Sequence, residues 1–369
     1  FIPVNEPLFI GNEKKYLEEC IDTGWISSEG PFVKKFETEF AKTVNRKYGI
    51  SVCNGSVALE VAVAALGIAP GDEVIMPTFT IISCASAIVR AGAVPVLIDV
   101  EKDTWNMNVE QIEAKITKRT KAIMVVHIYG LPVNMNPILQ IAKKYNLFII
   151  EDAAEVIGQT YYNKPCGSFG DISIFSFYPN KHVTTGEGGM VVTDNEELAE
   201  KSKSLRNLCF QPQKRFLHNA LGWNFRLSNI QAAIGLAQLE QLNKNIIRKR
   251  EIGIRYLNNL NDLSNVQLPR LKTDYAENLF WVFGIVLLDD KYPAAISVTD
   301  ILKTKNIGTR PFFWPMHEQP VFHKMGLFQS DSHPNAENIA RNGFYIPSGL
   351  TIIDKQIDIV SDILLELFD

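Results

Sequence analysis

Cysteine and histidine are scarce in this chain, five and six among 369 residues. Cys20, Cys53, Cys84, Cys166 and Cys209 are odd in number and widely spaced, which argues against a disulfide framework or a zinc knuckle and suits a reducing cytoplasm. No two histidines have the helical spacing H-x-x-x-H, so no structural metal is expected. An excess of basic charge is missing too. Lys and Arg number 37 against 41 Asp and Glu, a net charge of −4, which argues against a nucleic-acid binder. No apolar run approaches the length of a membrane span. The opening Phe1-Ile2-Pro3-Val4 does not read as a signal peptide, and because Phe1 is not a natural initiator, further residues are expected before it. Repeats, low-complexity tracts and a Pro/Ser-rich linker are absent, so the halves of the chain should be tightly packed. What remains, 46% hydrophobic and 21% charged residues, is the composition of a soluble globular protein with one large and one smaller domain.

From residue 50 onward, strand and helix patterns alternate. Residues 73–76, 94–98, 122–126 and 147–150 read as strands. Residues 80–90 and 135–144 read as helices, and Val109, Ile112 and Ile116 share one helical face. Such alternation implies a mainly parallel sheet covered by helices, with right-handed crossovers placing the strand ends on one edge. Helices are also expected at 11–22, 32–45, 196–206, 298–305 and 356–367, and a strand at 279–288. Residues 229–258 read as one long helix, with Arg248-Lys249-Arg250 on a solvated face. The change of domain is placed inside it, giving a large domain of residues 1–245 and a small one of 246–369.

Three stretches carry chemistry. Residues 172–177 and 190–193 read as strands, and between them lie Lys181 and the glycines Gly186, Gly188 and Gly189, which let the backbone turn tightly and approach something closely. Alone, this reads equally as a hairpin loop with a solvated lysine. Next, the apolar run 147–150 ends in Glu151-Asp152-Ala153-Ala154-Glu155. A carboxylate at a strand end sits where open α/β sheets bind ligands, although an N-cap would look the same. Third, Asn54-Gly55-Ser56 turns into a strong helix pattern whose first N–H groups and Ser56 hydroxyl would bind a dianion. A lysine for a Schiff base, an aspartate for a pyridine nitrogen and a phosphate turn are together what pyridoxal phosphate requires.

These stretches resemble the DegT/DnrJ/EryC1/StrS family of sugar aminotransferases. Cys53-Asn54-Gly55-Ser56-Val57-Ala58-Leu59 is similar to the family's S-N-G-T-x-A-L turn, Glu151-Asp152-Ala153-Ala154-Glu155 to its E-D-[AC]-A-[EQ] segment, and Ser176-Phe177-Tyr178-Pro179-Asn180-Lys181 to its S-F-x-x-x-K. The resemblance covers nearly the whole chain. It implies the fold-type I architecture: a three-layer αβα large domain with a mainly parallel sheet, and a smaller C-terminal α+β domain. It also implies pyridoxal 5'-phosphate held as an internal aldimine on Lys181, with Asp152 as its catalytic partner. Gly55, Ser56 and Ser176 would meet the phosphate, and Glu155 the phenolic oxygen. Pro77-Thr78-Phe79-Thr80-Ile81 departs from the family's P-T-F-T-[YFW], leaving Ile81 to cover the ring without aromatic stacking. In Gly222-Trp223-Asn224-Phe225-Arg226-Leu227-Ser228-Asn229, Asn224 would reach the neighbour's cofactor phosphate, giving a homodimer with shared sites.

The loop with Trp25 and Ser27, the residues Arg215 and His218, and the segment with Arg310 and His317 are candidate contacts to the sugar nucleotide or the donor carboxylate, with His182 beside them. The family's 3-dehydratase branch carries histidine where Lys181 stands, so that branch is rejected. The stretch 224–229 looks like the perosamine synthase branch, which acts at C4. The expected reaction moves the amino group of L-glutamate to a nucleotide-linked 4-keto-6-deoxyhexose, GDP-4-keto-6-deoxymannose first, giving GDP-perosamine. A dTDP- or UDP-4-keto-6-deoxyglucose giving viosamine, amination at C3, and a non-catalytic sugar-nucleotide binder are the alternatives.

Overall fold

The computed structural model describes residues 1–211, 213–288 and 294–368. The chain opens with α1 (Glu13–Thr23) and α2 (Pro31–Thr43), then runs through β1 (Tyr48–Val52), α3 (Gly55–Ala65), β2 (Glu73–Pro77), α4 (Ile82–Arg90), β3 (Val94–Ile98), β4 (Thr120–Val126), α5 (Met135–Tyr145) and β5 (Phe148–Asp152). A small hairpin, β6 (Thr160–Tyr161) and β7 (Lys164–Pro165), precedes β8 (Ile172–Ser176), β9 (Gly189–Thr193), α6 (Glu196–Arg206), α7 (Asn229–Glu240) and α8 (Leu242–Leu260). The remainder comprises β10 (Val266–Gln267), β11 (Phe283–Leu287), α9 (Ala295–Thr304), β12 (Arg310–Pro311), α10 (Pro320–Lys324), α11 (Pro334–Asn342), β13 (Gly343–Ile346) and α12 (Asp354–Phe368).

Seven strands form one sheet in the order β1-β9-β8-β5-β4-β2-β3. The pairs β2–β3, β2–β4, β4–β5 and β5–β8 are parallel, while β9 is antiparallel to both neighbours. Alternation along the strands divides the sheet into two apolar faces. On β4, Ala122, Met124 and Val126 join a core under α3 and α4, whereas Ile123 and Val125 join a second core with residues of α2, α5 and α7. Helices cover both faces, so the large layer arrangement is αβα. Four short antiparallel strands make a second sheet, β10-β11-β13-β12, with a core of its own shared with α8, α9 and α12. Val286 of its other face, with the adjoining Trp281, Val282 and Phe312, is continuous with the core under α3 and α4.

Four sequence expectations are corrected. The face carrying Val109 and Ile112 forms two short 3₁₀ turns, Val109–Gln111 and Glu113–Lys115, and the chain is already extended at Ile116. The long helix expected at 229–258 is two helices, because the Gln241 N–H bonds the carbonyls of Gln238 and Leu239 and the last turn tightens, redirecting the chain. The strand expected at 279–288 begins only at Phe283, since Phe280 turns the backbone at φ +53°. Lys249, expected on a solvated face, is buried and donates to the carbonyls of Trp281 and Ser348.

Candidate active site

Because β4, β5 and β8 run parallel, their carboxyl ends share one edge of the sheet. Asp152 closes β5 there and Ser176 closes β8. The N-terminus of α3 meets them at the antiparallel side. Asn54 caps that helix, its Oδ1 accepting the Val57 N–H at 3.0 Å. Glycine is required next: a Cβ on Gly55 would stand 2.7 Å from Ser176 Cβ, so only a bare backbone lets helix and strand end approach. A Cβ on Gly189, at the start of β9, would stand 2.5 Å from the Asn54 carbonyl oxygen, so the far side is equally close. The Ser56 and Ser83 hydroxyls lie 2.7 Å apart beside this helix start.

These elements enclose a cavity of about 640 Å³. Of the residues singled out by the sequence, Gly55, Ser56, Ile81, Asp152, Glu155, Ser176 and Lys181 all line it. Asp152 is buried. Its Oδ1 accepts the Ala154 N–H at 3.1 Å, and its Oδ2 accepts from the Cys84 thiol at 3.3 Å. Burial pushes its carboxyl above the usual range, against the pull of those two donors and of Lys181. Lys181 Nζ lies 3.9 Å from Glu155 Oε1, and Glu155 Oε2 accepts the Tyr129 N–H at 2.9 Å. Burial raises the Glu155 carboxyl to about 7 and lowers the Lys181 amine, while the charge of each opposes the shift of the other. A buried amine that is easily deprotonated is a nucleophile and a base.

The donor set suits a flat phosphorylated pyridine. The start of α3, the serines Ser56, Ser83 and Ser176, the Asp152 carboxylate and the Lys181 amine all line the one cavity. The cradle at Gly55 is one that a Cβ would fill.

The remaining candidates lie elsewhere. Ser27 and Arg215 line a second cavity of about 620 Å³ with Lys203, Arg206 and Arg226. The Arg215 guanidinium lies 5.0 Å from the Phe210 ring, and His218, bonded to the Leu208 carbonyl at 2.9 Å, packs on the same ring. Trp25 is half-exposed, its carbonyl tied to Asn229. Asn224 is exposed and stands outside the first cavity of its own subunit, paired through the backbone with Asn207. Arg310 is exposed beside Tyr345, which does line that cavity. His182 is buried behind Lys181, where burial, Lys249 and Lys181 hold its imidazole well below the usual range and neutral. His317 is also buried, between Thr78 Oγ1 at 2.8 Å and Glu337 Oε1 at 3.1 Å. It stands with Glu318 and Glu337 in a group whose ligand-type atoms lie within 4.8 Å, but both its ring nitrogens already have partners.

Sequence reasoning missed Trp281 and Tyr345, which with Phe313 of the singled-out 308–317 segment line the cavity, and Cys84 and Ser83 on α4. Nothing in the sequence marks these four. Trp281 lies in an apolar run that reads as strand, and Cys84 in a helix of small residues.

The DegT/DnrJ/EryC1/StrS aminotransferase family matches residues 9–365. The chain belongs to that family. It is therefore a transaminase of the fold-type I architecture. This aminotransferase is 42% identical to a GDP-perosamine synthase of Escherichia coli O157:H7 over 368 residues, 100% of the chain and 99% of that relative. It is 39% identical to a GDP-perosamine synthase of Vibrio cholerae, with 96% of each covered. Among solved structures, S. venezuelae DesV superposes with a TM-score of 0.89 at 31% identity, over 96% of this chain and 94% of that one.

Proposed function

We propose that this aminotransferase moves the amino group of L-glutamate to C4 of GDP-4-keto-6-deoxymannose, giving GDP-perosamine. The observation that carries the chemistry is the convergence of Lys181, Asp152 and the α3 N-terminus on one cavity. The acceptor rests on full-length likeness, at 39–42% identity, to three proteins named GDP-perosamine synthase.

Pyridoxal phosphate, when bound, carries the amino group and takes up the electron pair of the carbon that loses its proton. Asp152 would hold the pyridine nitrogen protonated. The α3 N-terminus with Gly55, Ser56 and Ser176 would receive the phosphate, Glu155 would meet the phenolic oxygen, and Ile81 would cover one face. Lys181 Nζ would hold the cofactor at rest. When free, it takes the proton from the donor α-carbon as a general base and delivers it as a general acid. The acceptor half runs through the same residues in reverse.

Asn224, exposed and outside its own cavity, is assigned to the neighbouring subunit of a homodimer. The cavity with Ser27, Arg206, Arg215 and Arg226 offers cations to the acceptor's diphosphate. Among the described residues no helix is long and apolar enough to cross a membrane, and the reaction is assigned to the cytoplasm.

The test is a panel of GDP-, dTDP- and UDP-linked 4-keto-6-deoxyhexoses with L-glutamate, the products read by mass spectrometry and NMR. Amination of the GDP-mannose derivative at C4 is expected. An amino group at C3, or preference for a dTDP or UDP sugar, overturns the assignment. Lys181→Ala should abolish both turnover and the visible absorbance of the cofactor-loaded protein, and steady turnover without Lys181 refutes its role.

A further inference from the structure

One wall of the cavity is an indole. Lys181 Nζ lies 3.6 Å from the centroid of the Trp281 ring, and 3.9 Å from Glu155 Oε1. The ring is fixed from several elements. Its Nε1 donates to the carbonyl of Asn180, the residue before Lys181, at 2.8 Å. Its own carbonyl accepts from Lys249 Nζ at 2.9 Å, and Lys249 is anchored a second time on the Ser348 carbonyl at 2.5 Å. The preceding turn is held by Phe280 at φ +53°, whose N–H donates to Asn278 Oδ1 at 2.8 Å. Gly130 backs that turn so closely that a Cβ there would stand 2.6 Å from the Trp281 nitrogen. The Tyr129 ring lies 6.0 Å away from the indole, tilted by 34°.

We propose that Trp281 is a positioning residue for the transfer: its indole face seats the Lys181 amine whenever that amine is not covalently engaged, and Lys249 holds the seat in place. The inference rests on the transaminase reading of Lys181. As a base, Nζ gains one proton from the substrate carbon and becomes an ammonium; as an acid it returns that proton and is an amine again. The indole forms no bond. It favours the ammonium stage through its negative π face. Without it, the free lysine would be a flexible chain in a cavity of about 640 Å³, and each proton transfer would wait on its return.

The first readout needs no cofactor. In the apoprotein, the pH dependence of reductive methylation of Lys181, followed by peptide mass spectrometry, gives the midpoint of its amine. Asp152, Glu155, His182 and Lys249 also face this region and stay unchanged in the Trp281 variants. Trp281→Leu is expected to lower the midpoint by roughly half to one and a half pH units, and Trp281→Phe to retain most of it. Lys249→Met, which frees the Trp281 backbone, should shift it in the same direction. If Trp281→Leu does not fold, wild-type protein grown with tetrafluorotryptophan keeps the shape and weakens the π face, and must show the same lowering. In loaded enzyme, Trp281→Leu should reduce kcat with KM for both substrates near wild type. An unchanged Lys181 midpoint in the leucine variant or in the fluorinated protein overturns the inference. Failure of the transaminase reading would show differently, as colour and turnover surviving in Lys181→Ala.

Discussion

A thiol is an unusual companion for a carboxylate. Cys84 Sγ lies 3.3 Å from Asp152 Oδ2 and 3.4 Å from Thr80 Oγ1, all buried. As a weak donor, it holds one Asp152 oxygen in place. Cys84→Ala is expected to weaken cofactor binding about tenfold, the loss of one bond to a buried charged group, whereas Cys84→Ser should bind at least as well as wild type. Fluorescence titration of the apoprotein measures both. Glu151, next along β5, faces the other way. It accepts from the N–H groups of Phe169 at 2.9 Å and Gly170 at 3.0 Å, from Ser173 Oγ at 3.1 Å, and from His127 Nε2 at 3.1 Å. The Val133 N–H donates to His127 Nδ1, so the imidazole proton sits on Nε2, toward Glu151. Burial alone would raise the Glu151 carboxyl, but His127 and the backbone donors overcome it and hold it down at about 2. A carboxyl depressed from 4.5 stabilises the fold above that pH and loses its contribution as pH falls toward 2. Thermal melts of the wild type should therefore drop through this window. Glu151→Gln should be less stable at neutral pH by about 1–3 kcal/mol and flatter across the same window. The sequence singles out Asp152 by its motif, and the β5 pleat adds what the motif could not, a structural post for Glu151 on the other face.

Among the elements, the parallel strands were legible because their period and length are set locally. The runs 122–126 and 147–150 fall on β4 and β5 within a residue or two. What escaped was decided at a distance. The apolar run from Leu279 looks uniform, yet Asn278, Gly130 and Lys249 from separate elements bend it at Phe280. Lys249, in a basic run, looked solvated until two carbonyls were found waiting for it. Helix α7 shows a local signal with a remote effect. Ser228 and Gln231 form a capping box at its start, and Asn229 in its first turn accepts the Phe32 N–H at 2.8 Å and donates to the Trp25 carbonyl at 2.6 Å. Ser228→Ala should cost about 1 kcal/mol in denaturant unfolding and speed hydrogen exchange across residues 25–32, the loop assigned to the acceptor. Exchange unchanged in that loop would separate the cap from the loop.

For the whole molecule, the residues that share the first cavity were readable from local motifs, and those away from it were not brought to it. Gly55, Asp152, Ser176 and Lys181 sit in local motifs at element ends, and all line one cavity. Ser27, Arg215 and Asn224 lie outside it, and the proposed work of Asn224 depends on a second chain. Mixing makes that dependence measurable. Lys181→Ala and Asn224→Ala proteins, each inactive or nearly so, should regain about a quarter of wild-type activity when their subunits are exchanged, since half of the dimers are then mixed and each mixed dimer has one intact site. No recovery would place Asn224 in its own subunit's chemistry or outside the reaction.

Glu151 and Asp152 are neighbours of the same chemical kind on opposite faces of β5. A slip of that strand by one position would swap acid for acid: the ring nitrogen would still find a carboxylate, one carbon longer, while His127 would be left facing one that is too short. The mistake would be almost invisible to the cofactor and plain to the 167–173 loop. Quality control over this site therefore falls to the buried His127, which does not line the cavity.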